Sequence, residues 1–191
     1  PGMVAEAEAA LAASAVDFRF QPASIMELPF ADDSFDVVVA NHMLYHVPDR
    51  EKALVEVRRG LKANGRFFAA TNGNTHMKEL SEMGSELFPE GAEALKVGRM
   101  GSGTSMSLEF RLENGAAQLR PYFSHVEMLP YPDSLRVTEA APLVAYVLST
   151  VQHLDIPDAV RRRLHDHFAA KIAADGAIAI SKESGLFVAR P

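Results

Sequence analysis

Residues 35–49, FDVVVANHMLYHVPD, change character in the middle: four apolar residues, Val37 to Ala40, give way to Asn41 and His42. An unbroken apolar run of that length reads as a strand buried on both faces, the pattern of a parallel sheet. Downstream, Pro48-Asp49 precedes REKALVEVRRGLK, in which Leu54, Val57 and Leu61 recur at helical spacing. This predicts a helix starting at Asp49, with Asn64-Gly65 as its stop. RFFAAT (66–71) is then a second apolar strand. Strand, helix and strand in one short span make a right-handed parallel crossover, so the predicted fold class is α/β.

Working outward, MVAEAEAALAASA from Met3 is rich in helix formers, and VDFRF (16–20) alternates as a strand does. LPFADDS (28–34) is turn-rich. Beyond Thr71 the sequence predicts a helix capped by Asn74 and running to Phe88, a loop over Pro89–Ser105, a short strand at SLEFRL (107–112) and a helix over Ala116–Tyr122. HVEMLPYPDSLRV (125–137) reads as a strand running into an extended arm. Helices follow over Thr138–Gln152 and Pro157–Ala174, the second carrying Arg161, Arg162 and Arg163 on a solvated face. AIAISK, the turn Glu183-Ser184-Gly185 and LFVA predict a C-terminal antiparallel hairpin. There is no repeat and no linker, so residues 1–191 read as a single domain.

The chain has 191 residues, 48% of them hydrophobic and 23% charged, enough for one ordinary core. A net charge of −6 argues against a broad phosphate-binding surface, which makes a small molecule the expected partner and nucleic acid an unexpected one. With no cysteine, disulfides, thiolate metal sites and a cysteine nucleophile are excluded. The apolar stretch PLVAYVLSTV is too short to span a bilayer, so no membrane partner is expected and a cytoplasmic location is.

The run LPFADDSFDVVVANHMLYHVPDREKALVEVRRGLKANGRFFAAT resembles the middle of a class I S-adenosylmethionine-dependent methyltransferase, and GAIAISKESGLFVARP resembles the tail of small-molecule members of that family. Residues 73–175 are left as the variable, substrate-facing region. The resemblance implies a Rossmann-like sheet of strand order 3-2-1-4-5-7-6 with helices on both faces, and S-adenosylmethionine lying across the carboxyl ends of the strands. It implies that Asn41, at the end of the fourth family strand, contacts the amino-acid portion of the cofactor, with His42 beside it. Ser24 stands where the family carries an adenine-binding acid, with Ile25 and Met26 behind it to pack the ring. His46 is the first candidate for a catalytic base; His76, in NTHMKEL, is the second and lies on the substrate side. Plainer roles stay open: Asn ends many strands for backbone reasons, Ile25 and Met26 fit ordinary core, and methyl transfer needs little beyond alignment of the reactants.

The family's glycine-rich loop and ribose-binding acid have no counterpart before residue 16, and PGMVAEA resembles the segment just after that acid. The expectation is an N-terminally truncated chain lacking the first two family strands, with VDFRF set apart from FDVVVA by a slot two strands wide. Sheet edges exposed in this way would invite self-association. VGRMGSGTS (97–105) is no substitute loop, because its spacing is GxxGxG and neither strand nor helix flanks it. The pairs His42/His46 and His165/His167 have no evident third ligand, so no metal is expected. Transfer of a methyl group to a small molecule, with impaired cofactor binding, is therefore the expected function. A non-enzymatic remnant or interaction protein of the same ancestry is the alternative, and an unrelated nucleotide-binding α/β enzyme a third reading.

Overall fold

The computed structural model describes residues 2–87, 110–150 and 156–191. Helix α1 (Gly2–Leu11) opens the chain and buries none of its residues. Strand β1 (Phe35–Asn41) pairs in parallel with β2 (Leu61–Asn72), and α2 (Arg50–Gly60) crosses between them, as the central sequence pattern predicts. The Asp49 side chain caps α2 by accepting the Lys52 N–H at 2.9 Å, satisfying one of the donors that a helix start leaves open. Then come α3 (Lys78–Leu87), α4 (Leu112–Leu119), β3 (His125–Val137), α5 (Ala140–Ser149), α6 (Asp158–Asp175) and β4 (Ile178–Arg190).

The sheet order is β1-β2-β4-β3, with β4 antiparallel to both of its neighbours. Strand alternation on β4 sorts the core into two layers. Phe187 and Ala189 pack with Phe67, Ala69 and the buried faces of α2 and α4. Ile178 and Ile180 face the other way, against α3, α5 and α6. Thr71 is the buried polar residue among those described, and its hydroxyl donates to the Phe110 carbonyl at 2.9 Å. No helix among the described residues is long and apolar enough to cross a membrane.

Several elements depart from expectation. β1 is not covered on both faces: Ala40 is buried, but Val37 and Val39 are 50% and 57% exposed, because among the described residues no helix packs over that side. VDFRF forms no strand. Its alternation is there, yet no neighbouring strand takes its backbone bonds, and Phe18 and Phe20 stack on each other instead. α2 ends at Gly60 rather than at Asn64-Gly65. Phe35 pairs with Leu61 and Val37 with Arg66, so residues 62–65 are an excursion that Gly65 closes; a Cβ there would come within 3.2 Å of the Asp36 carbonyl.

The expected C-terminal hairpin is one continuous strand. β4 runs through Glu183-Ser184-Gly185 without turning, and its antiparallel partner is β3, reached through the α5–α6 insertion. Gly185 serves close packing instead, since a Cβ would meet Leu112 at 2.8 Å and the Leu129 carbonyl at 3.0 Å. Asn74 does not cap α3, which starts at Lys78 after a turn. Helix α4 begins at Leu112, so Phe110 and Arg111 are not in a strand, while the rest of the SLEFRL prediction, the Pro89–Ser105 loop, VGRMGSGTS, Phe88 and Gln152 lie outside the described residues.

Candidate functional site

Asn41 is the last residue of β1 and stands in register with Ala70 of β2. His42 adds one bond past the strand, its N–H donating to the Ala70 carbonyl at 3.0 Å, and then turns the chain away with a left-handed φ of 50°. Both side chains are exposed at the carboxyl end of a parallel strand, the position where open α/β sheets hold their ligands. A short 3₁₀ turn, Leu44–His46, follows and is pinned by the buried Leu44.

The second half of the site is built around Glu183. β2 stops at Asn72, and residues 73–77 wrap over the adjacent stretch of β4. The Gly73 N–H donates to the Glu183 carbonyl at 2.9 Å, and the Thr75 N–H and hydroxyl donate to its carboxylate at 2.7 and 2.8 Å. The Glu183 N–H donates to His76 Nδ1 at 3.2 Å. Ser184 donates to the Asn72 side chain at 2.8 Å, and the Met77 N–H to the Ser181 carbonyl at 2.8 Å. Burial pushes the His76 pKa below its ordinary value, and positive charge on His42 and Lys182 would push it the same way. Asn41 pairs with Ala70 and β2 ends two residues later at Asn72, so the fold brings His42 and the His76 loop, distant in sequence, to the same end of the sheet.

His46 does not join them. It is exposed, its ring lies 4.5 Å from that of Tyr45, and no hydrogen bond or ring contact links it to His42 or His76. Ser24 accepts the Met26 N–H at 3.3 Å and forms a local bridge with Glu27, so part of its acceptor capacity is used within its own turn. Ile25 and Met26 are half-buried against the α2 core, and no hydrogen bond ties them to Asn41. Glu183 and Thr75 were not readable as site residues, because ESG carries the composition of a turn and nothing local marks Glu183 as the residue that organises a distant loop. Among the described residues, no three histidine, aspartate or glutamate side chains converge as metal ligands would.

Residues 1–69 match a family model described as a methyltransferase domain. Over 49 residues, 26% of this chain, it is 47% identical to the uncharacterised methyltransferase YcgJ of Bacillus subtilis, covering 19% of that protein. Over 125 residues, 63% of this chain, it is 29% identical to the ubiquinone/menaquinone biosynthesis C-methyltransferase UbiE of Rickettsia peacockii, covering 44% of that protein. The matched stretches thus span less than half the length of these relatives. The crystal structure of YcgJ superposes with a TM-score of 0.58 at 20% identity, covering 99% of this chain and 78% of that one. The N-terminal third of the chain thus matches a methyltransferase domain, and the chain as a whole shares the fold of YcgJ.

Proposed function

We propose that this chain takes part in methyl transfer from S-adenosylmethionine to a small-molecule acceptor, and that by itself it holds the cofactor weakly. The observation that carries this is the pairing of Asn41 and His42 with the His76 loop at the carboxyl end of β1 and β2. The donor set suits the amino-acid end of such a cofactor, since an exposed Asn amide offers both donors and an acceptor. Its fit to the adenine end is partial: Ser24 keeps its hydroxyl proton to donate, and Ile25 and Met26 offer an apolar flank, but no carboxylate stands in the place of Ser24. When bound, the cofactor supplies an activated methyl group, and the protein's share is to bind, orient and exclude water. His42 and His76 would line the acceptor side. His46, exposed and without a hydrogen bond to either, would act as a base only for an acceptor that reaches the 3₁₀ turn.

Weak binding follows from what the described residues offer. None of their helices is entered through a glycine-rich loop, so no row of backbone N–H groups is aimed at a ligand in the way that phosphate-binding and dinucleotide folds use. Calorimetry with S-adenosylmethionine should give little heat, while S-adenosylhomocysteine at high concentration should shift the amide resonances of Asn41, His42 and Ser24–Met26. Low-micromolar affinity would contradict the half-site, and tight binding of a nicotinamide nucleotide or a nucleoside triphosphate would replace the methyltransferase reading.

A further inference from the structure

His76 sits where the fold decides which of its ring nitrogens carries the proton. β4 runs on past the end of β2, which leaves the N–H and C=O of Glu183 facing a side with no strand partner. The Gly73 N–H takes the carbonyl, and the imidazole of His76 takes the N–H through Nδ1. A backbone N–H needs a lone pair to donate to, so Nδ1 is the unprotonated nitrogen and the neutral ring carries its hydrogen on Nε2. A second proton would have to go onto Nδ1, facing the Glu183 N–H and breaking that bond. Burial opposes a second proton most strongly and leaves the His76 pKa below its ordinary value, although the Glu183 backbone and carboxylate offset part of that effect. No hydrogen bond to a described residue occupies Nε2 of this half-buried ring, which leaves it as the nitrogen available to a ligand.

We propose that His76 presents a fixed Nε2–H to an oxygen of the methyl acceptor, such as a carbonyl or enolate oxygen, as a hydrogen-bond donor and not as the base that deprotonates it. The inference rests on the cleft reading above. A base at this point needs a free lone pair on Nε2, and the Glu183 N–H removes that option by holding the other nitrogen as acceptor. The ring also completes the β4 ladder, so stability and ligand contact fall on different nitrogens and can be separated.

Two substitutions make the separation. His76→Asn places an amide oxygen near the position of Nδ1 and offers nothing at Nε2, so it should melt close to the wild type. His76→Gln reaches toward Nε2 but leaves the Glu183 N–H without its partner, so it should melt lower. The probe is acetophenone, whose oxygen only accepts, with ethylbenzene as the control lacking that oxygen. Long-range nitrogen–proton correlation spectra of the full chain at neutral pH should show the Nε2–H tautomer. Acetophenone, but not ethylbenzene, should shift the His76 Nε2 signal, and His76→Asn should lose the acetophenone-dependent shifts around Asn41 and His42. A ring protonated on Nδ1 or on both nitrogens, or equal responses to the two probes, overturns the proposal. None of these measurements uses S-adenosylmethionine or turnover. If cofactor shifts fail to map to Asn41 while the tautomer and probe results hold, the cofactor reading fails and the donor role stands.

Discussion

Glu56 and Arg59, one turn apart on α2, hold the LPFADDS segment against the helix. Glu56 accepts the Leu28 N–H at 2.9 Å, and the Arg59 guanidinium donates to the carbonyls of Leu28 and Phe30 and to the carboxylates of Glu56 and Asp32. Four groups of the turn are satisfied by these two side chains, three of them by the arginine fork, which a lysine could not match. The Arg59 hydrogen bond holds the Glu56 carboxyl at about 2, well below its ordinary 4.5, with the Leu28 N–H adding to it. A depressed carboxyl stabilises the fold fully above its unfolded value and loses that contribution as pH falls toward the folded one. Glu56→Gln should therefore melt below the wild type at neutral pH, and the gap should narrow as the pH falls from about 4.5 to about 2. A gap that stays constant through that window in thermal melts would show that Glu56 acts by packing alone. In the sequence these residues were only polar positions on an amphipathic helix; Glu56 gains its role from a turn 28 residues upstream.

At the scale of elements, local chemistry predicted what it could control. The α2 start at Asp49 was legible because capping is decided within four residues, and Asp49→Ala should cost about 1 kcal/mol of stability, measured by denaturant unfolding. No change in the unfolding midpoint would mean that water satisfies the Lys52 N–H equally well. β4 was misread for the complementary reason. Glu183-Ser184-Gly185 has turn composition, but Ser184 and Gly185 are paired with both β2 and β3 and Glu183 with β3, so the strand has no room to reverse. Gly185 has ordinary negative-φ geometry and is small because Leu112 and the Leu129 carbonyl crowd it. Gly185→Val should lower stability by about 1–3 kcal/mol through overpacking in the middle of the sheet. If residues 183–185 were a turn, that substitution would be nearly silent and their amides would exchange rapidly with solvent.

For the whole molecule, the order β1-β2-β4-β3 leaves β1 at an edge. By register, Val37 and Val39 share a face with Phe68 and Ala70, and this face is only partly covered among the described residues. Parallel sheets are ordinarily covered on both sides, and an exposed apolar edge strand is a template for pairing. The 191-residue chain should self-associate with rising concentration in light scattering, and Val39→Lys should suppress this by placing a charge on the bare face. A monomer at every concentration for the unsubstituted chain would contradict it.

By itself the sequence determined the crossover unit of β1, α2 and β2, the α/β class and the strand-end position of Asn41 and His42, because each depends on patterns a few residues long. Only the tertiary structure decided that VDFRF has no strand to join, that β4 is continuous, and that His76 is clasped by Glu183 at the same end of the sheet as His42. Those outcomes depend on hydrogen-bond partners far away along the chain: a backbone group takes the conformation in which something is there to satisfy it, and its own neighbours in sequence do not reveal what that will be.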